Sequence, residues 1–414
     1  MDLTIRNALH DRTLEPVNLG IKDGKIDTLT TGELKPGSHS IDAGGAMVSP
    51  AFIEPHFHLD NAVMPEYSNK SGTLGEAIRI AEEIKDRITP NDVMRRSTIA
   101  LREAILNGVL WMRTNTDVDE VAKLDLLKAV MAVRDKFKDV IEIQIVAFPQ
   151  FGLADNPESV DLMRQAMQIG ADLVGGVPHS EKDMDKAANH IEIAFDIAQA
   201  NDADIDMHVD ETDDPYWHTL ELLADKTIDT GYQGRVTAAH CCAMAAWDEK
   251  LFQRILGKLV DAKINICTNT PVNLVIQGRS SGNPIRRGIA RVKDLLEAGV
   301  NVTCGQDDLQ NMFYPFGNMD MLSVANFVAH TAHMSSEKEI QQAFDLPRYN
   351  AAKVLRLEKY GLNVGDDANL VIIPANSPAD ALRRYQPRTY VIRKGEVLVQ
   401  SEHVLTLSQA LPFA

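Results

Sequence analysis

The chain has 414 residues, 44% of them hydrophobic and 24% charged, the balance of a globular protein too long for one ordinary core. Its 42 Lys and Arg stand against 59 Asp and Glu, a net charge of -17. Such a surface repels phosphate backbones and anionic membranes, which argues against polymeric nucleic acid as a partner and leaves a free base open as a ligand.

Cys241, Cys242, Cys267 and Cys304 are too irregularly placed for a disulfide framework and lie in apolar runs, as buried reduced thiols do. The N-terminal Met1-Asp2-Leu3-Thr4 lacks the basic, apolar and small-residue segments of a signal peptide. No apolar run is long enough to span a bilayer. The expectation is a cytoplasmic protein without membrane attachment, working as a homo-oligomer.

In chain order, residues 1–48 read as short strands: Leu3-Arg6, Val17-Ile21, a Lys22-Asp23-Gly24-Lys25 turn, then Ile26. Asp-Gly between alternating segments is a strong hairpin signal. From residue 49 the pattern alternates strand and helix. The strand candidates are Val48-Phe57, Val109-Thr116, Ile141-Pro149 and Ala171-Pro178, followed by Asp204-Val209, Val236-Cys241, Ile264-Asn269 and Val300-Gln306. Amphipathic stretches such as Leu74-Arg87, Asn91-Asn107, Leu124-Phe137, Ser159-Ile169, Asp183-Asn201 and Asp248-Ala262 separate them. Several strands are apolar throughout, as in a parallel sheet buried on both faces. Eight alternations over roughly 260 residues match a (β/α)8 TIM-like barrel.

Helices are predicted over Met319-His333, Ser336-Phe344 and Tyr349-Leu355. Strands return at Asn369-Ile373, Tyr390-Arg393 and, after a Lys394-Gly395 turn, Glu396-Val399. The expected architecture is α/β: a barrel domain over 49–361 inserted into a small, discontinuous β-sandwich built from 1–48 and 362–414.

In such barrels the chemistry sits at the C-terminal ends of the strands. His56 and His58 end the first predicted strand and, two apart, project to the same side. His208 ends the fifth, His240 the sixth, and Asp307 with Asp308 the eighth. Imidazoles and one carboxylate at four strand ends make a nest for one divalent ion such as Zn²⁺ or Fe²⁺. His10, His39, His190, His218, His330, His333 and His403 fall elsewhere and receive no chemistry, while His179 follows the fourth strand as a possible pocket residue.

These segments resemble the amidohydrolase superfamily, and within it the cytosine deaminase branch. The resemblance rests on Glu54-Pro55-His56-Phe57-His58-Leu59-Asp60, Ser71-Gly72-Thr73-Leu74, Phe148-Pro149-Gln150, His208-Val209-Asp210-Glu211, Gln277-Gly278-Arg279 and Gly305-Gln306-Asp307-Asp308. It implies that His56, His58, His208 and Asp307 hold one metal ion and that His240 contacts the activated water. Binuclear members carry a bridging lysine on the fourth strand; Ala171-Pro178 has none, so one ion is expected.

By the same resemblance Glu211 shuttles a proton, while His240 and Asp307 orient the water. Gln150 offers a donor and an acceptor to a cyclic ureide edge, the Thr73-Leu74 loop adds backbone hydrogen bonds, and Asp308 sits near the amine. Two positions depart from the branch. Asn115 replaces a histidine in Arg113-Thr114-Asn115-Thr116-Asp117-Val118-Asp119, and Phe313 stands where a tryptophan is usual. Both are candidate substrate contacts, and the smaller ring of Phe313 predicts room for a 5-substituent on a pyrimidine. The implied activity is hydrolytic deamination of cytosine or a 5-substituted cytosine. The alternatives are isoguanine, creatinine or an N-alkylated triazine on the same site, or a catalytically silent binding subunit. The last predicts a broken ligand position, and every position is intact.

Overall fold

A computed structural model describes residues 1–279, 282–283, 285–404 and 406. The chain divides into two compact units, one of Met1–Ala51, Leu106–Gly108 and Gly361–Ala414, the other of Phe52–Ile105 and Val109–Tyr360. The end of the expected C-terminal segment, at 405 and 407–414, lies outside the described residues.

The first unit begins with strands β1 (Leu3–His10), β2 (Pro16–Lys22), β3 (Lys25–Thr30), β4 (His39–Asp42) and β5 (Met47–Pro50). The second contributes β6 (Phe52–Phe57), β7 (Val109–Asp117), β8 (Glu142–Phe148), β9 (Leu173–Gly176), β10 (Asp204–Val209), β11 (Val236–His240), β12 (Asn265–Thr268) and β13 (Val302–Cys304). Strands β14 (Leu370–Ile373), β15 (Tyr390–Arg393) and β16 (Glu396–Gln400) return the chain to the first unit.

Both ends of the chain build one mixed sheet in the order β16-β15-β14-β5-β1-β2-β3, with β4 also paired to β1. The halves of β1 have different neighbours: Leu3 to Arg6 pair with β4, Leu9 and His10 with β5. Its apolar side chains, among them Ile5, Leu19, Ile21, Leu370 and Ile392, bury a common core. Asp23 and Gly24 both take positive φ, 51° and 75°, the tight two-residue turn that Asp-Gly favours. Lys394 and Gly395 repeat it at 48° and 80°.

The expected strand Val48-Phe57 is two strands. Met47–Pro50 pairs antiparallel with β14, whereas Phe52–Phe57 pairs parallel with β7. All residues of both are buried, so a continuous apolar run gives no local sign that the chain changes sheet. Pairing then runs in parallel from β6 through to β13 in sequence order. An isolated parallel bridge between Phe57 and Asp307 joins the ends of this path and closes the barrel.

The helices follow the amphipathic stretches closely: α1 covers Leu74–Ile84, with Thr73 accepting the Glu76 N–H as its cap. The predicted helix Tyr349-Leu355 is instead a π turn over Leu346–Asn350 followed by the short Ala351–Val354, since Pro347 cannot donate to an ordinary helical ladder. Among the described residues no helix is long and apolar enough to cross a membrane.

Candidate metal centre

His56 and His58 lie at and just past the end of β6, on the same side of the chain, with ring centres 5.7 Å apart. His208, next to last in β10, brings its Nε2 to 3.3 Å from His56 Nε2 and 3.0 Å from His58 Nε2. Asp307 Oδ1 stands 3.5 Å from the Nε2 of both His56 and His58. His240 ends β11 opposite Val209, so its ring centre comes within 4.8 Å of that of His208. The four groups that lie within 4.8 Å of one another are His56, His208, His240 and Asp307. His240, expected one step outside the ligands, is thus packed among them, and five groups converge.

All five are buried. Burial and the neighbouring imidazoles hold His58, His208 and His240 well below the usual histidine range, so these rings are neutral and present lone pairs. Burial, then Asp308, Glu211 and Glu54, push Asp307 up. Ring nitrogens facing one another at 3.0 to 3.3 Å beside a carboxylate that is costly to ionise alone are what a cation between them would stabilise. The cluster is positioned to chelate one divalent metal ion, and β9 carries no lysine to hold a second.

Groups behind the cluster orient it. His56 Nδ1 faces Asn115 Nδ2 at 3.3 Å and Asp206 Oδ1 at 3.5 Å. Asp206 is itself gripped by Arg113 at 2.8 Å. His240 Nδ1 faces Asn273 Nδ2 at 3.1 Å and Glu211 Oε1 at 3.2 Å. Asn115 is therefore not at the cavity wall: on a fully buried stretch of β7 its amide lies behind a metal-site histidine. Sequence pattern shows that a neutral residue replaced an ionisable one, but not which way it points.

Above the cluster lies a cavity of about 340 Å³. Gln150, Leu74, Asp308, Phe313 and Glu211, expected to meet substrate, all line it together with His58, His208, His240 and Asp307. Burial, then the nearby Asp308, push Glu211 up to about 8, against a hydrogen bond from Asn273. Burial pushes Asp308 up to about 6, opposed by a 2.5 Å bond from Asn311. Two like charges close together in a buried site resist being ionised at once, so one proton is easily kept among them.

The cavity has walls that sequence reasoning missed. Phe148 lies 4.3 Å from the His208 ring at a 32° tilt, and Ile78 and Phe151, each about two-fifths exposed, flank the cavity. His179 lines it too, a neutral ring whose burial lowers it to about 4. His190, assigned no chemistry, ties the loop before His179 in place. Its Nε2 accepts the Val177 N–H at 3.1 Å, and its Nδ1 meets Glu181 Oε1 at 2.7 Å. That oxygen also accepts the N–H of Leu153 and Ala154, which links the loop after β9 to the loop carrying Gln150.

Residues 39–400 match the model of the amidohydrolase family. The structure of 5-methylcytosine deaminase from Klebsiella pneumoniae, solved with 5-fluorocytosine, is similar at 36% identity and a TM-score of 0.95, covering 99% of this chain and 100% of that one. N-isopropylammelide isopropyl amidohydrolase of Pseudomonas sp. (strain ADP) is 30% identical over 98% of each chain. Pterin deaminase of Rhizobium rhizogenes is 29% identical over 94% of this chain and 89% of its own. With the match running through the barrel and both terminal segments, over a buried His/His/His/Asp cluster, the chain belongs to the amidohydrolase family as a metal-dependent hydrolase.

Proposed function

We propose that the protein hydrolyses the exocyclic amine of a free aminopyrimidine, cytosine or a 5-substituted cytosine such as 5-methylcytosine, to give the keto product and ammonia. The observation that carries this reading is one cavity lined by the metal cluster, Glu211, Asp308 and Gln150. It is supported by the full-length likeness to a 5-methylcytosine deaminase.

A divalent ion, Zn²⁺ or Fe²⁺, held by His56, His58, His208 and Asp307 would supply a water acidic enough to attack at neutral pH. In this reading His240 and Asp307 orient that water and take its proton. Glu211, 3.2 Å from His240, would pass the water's first proton to the ring nitrogen as the tetrahedral centre forms, then the proton of the new hydroxyl to the departing amine as the C–N bond breaks and the carbonyl forms. Gln150 pairs its amide with the O=C–NH edge of the base, so that a base lacking this edge leaves buried polar groups unmatched. Leu74 and Phe313 pack against the ring, with Phe313 beside C5. Asp308 accepts a hydrogen bond from the leaving ammonia.

The likeness to an N-isopropylammelide hydrolase supports a second reading, in which an alkylamine leaves a triazine from the same site. Isoguanine and creatinine share the cyclic edge and belong in the same trial. The test is amine release from cytosine, 5-methylcytosine, isoguanine, creatinine and N-isopropylammelide by metal-loaded protein, with product masses. Cytosine or 5-methylcytosine is expected to give the highest kcat/KM; preference for any other base overturns the pyrimidine reading. The acidic surface supports a small-molecule substrate over nucleic acid, and we further propose a cytoplasmic homo-oligomer.

A further inference from the structure

The barrel closes through a thin seam. Among the described residues, β6 and the segment after β13 meet at one isolated bridge, Phe57 to Asp307. The Asp307 N–H donates to the His56 carbonyl at 3.0 Å, and the His58 N–H donates to the Asp307 carbonyl at 3.2 Å. Three groups of the metal cluster therefore ride on this seam. One of them, Asp307, holds a φ of 70°, a conformation that a non-glycine residue keeps only where its surroundings enforce it.

Just before the bridge, a side chain supplies the pairing. Glu54 is fully buried; its Oε1 accepts the His56 N–H at 3.0 Å and its Oε2 accepts the Gln306 N–H at 2.8 Å. The first N–H belongs to a metal-site histidine, the second to the residue preceding Asp307. Gly305 makes the space: a Cβ there would stand 3.0 Å from Glu54 Oε1, 3.0 Å from the His56 carbonyl and 2.8 Å from Asn269 Oδ1.

We propose that Glu54 is a positioning residue of the metal centre, one carboxylate that spans the barrel seam and sets the spacing between His56 and Asp307. The role requires two acceptors on one side chain, both facing N–H donors. A glutamine keeps the shape but turns an NH₂ toward one donor, and an aspartate is one methylene too short to reach both. The inference rests on the assignment of His56 and Asp307 as ligands, and the readouts separate the two.

The experiment loads apo protein with Co²⁺ and records its visible absorption, its Co²⁺ affinity by competition with a chelator, and its far-UV circular dichroism. Wild type is expected to bind with defined ligand-field bands. Glu54→Gln should remain folded, bind Co²⁺ about 10–100-fold more weakly and show altered bands, as removal of an outer support does at other metal sites. Glu54→Asp should fall between the two. Wild-type affinity and bands in folded Glu54→Gln overturn the proposal, and should that variant not fold, the same result in Glu54→Asp does so. Failure of both variants to fold in excess Co²⁺ also overturns it, assigning Glu54 to folding alone. A wild type that takes up no Co²⁺ refutes the ligand assignment instead.

Discussion

Replacing Glu211 by glutamine removes the one group assigned to carry protons between the two faces of the reaction while disturbing little else. The carboxyl lies in the cavity, with Oε1 3.2 Å from His240 Nδ1 and 3.4 Å from Asn273 Nδ2. Glutamine has the same length, and its amide oxygen can still accept from Asn273. Glu211 is neither an assigned ligand, as His56, His58, His208 and Asp307 are, nor in the close group of His56, His208, His240 and Asp307, so metal retention should be unaffected. What disappears is proton transfer, a contribution of roughly 10²- to 10⁴-fold. At about 1.36 kcal/mol per decade that is about 3–5 kcal/mol of barrier height. The assay is steady-state ammonia release with metal content measured on the same sample. The expected result is kcat reduced by at least about 100-fold, little change in KM and unchanged metal content. A metal-replete variant within about tenfold of wild type would remove Glu211 from the shuttle role.

Further outcomes follow from other parts of the structure. Phe313→Trp places a larger ring at the cavity wall and should lower kcat/KM for 5-methylcytosine by about 10–200-fold relative to cytosine, the range set by one methyl group's space; equal losses for both bases would place Phe313 away from C5. Lys85, buried, binds Asp117 at 2.7 Å and also contacts Asp119. Lys85→Met leaves buried carboxylates unpaired and should cost about 3–5 kcal/mol in urea unfolding, partly recovered by adding Asp119→Asn; a loss under about 1 kcal/mol would contradict this. Glu221 is lowered to about 2 first by its Arg254 hydrogen bond, helped by Lys258. A depressed carboxyl stabilises above its unfolded value of 4.5 and loses that contribution as pH falls toward 2. The stability gap between wild type and Glu221→Gln should therefore be full at pH 7 and shrink below pH 4.5; a gap independent of pH would show that the pair does not act through charge.

Much of this site was legible because its parts obey short-range rules. The two-residue period of a strand puts His56 and His58 together, and strand ends locate His208, His240 and Asp307 without knowledge of the packing. Turn chemistry located both hairpins, at Asp23-Gly24 and Lys394-Gly395. What was not legible depends on partners far away in the chain. The apolar run from Met47 to Phe57 looks like one strand because burial on both faces is the same in either sheet. Asn115 was expected at the substrate, but only the fold reveals that it backs His56. Glu54, His190 and Glu181 look like ordinary polar residues until their main-chain partners, as distant as Gln306, are known. His240 is expected beside the metal-held water, and the register between β10 and β11, which brings it level with His208, depends on pairing that the local pattern does not show.

That His56, His58, His208 and Asp307, brought together from β6, β10 and the segment after β13, hold a single divalent ion is tested most directly by anomalous X-ray diffraction from crystals of Zn²⁺-loaded protein. The account predicts one strong peak per chain, about 2.0–2.2 Å from the ring nitrogens of His56, His58 and His208 and from an Asp307 oxygen, with His240 lying beyond bonding distance. A peak bound elsewhere, or no peak among these residues with zinc in excess, would contradict it.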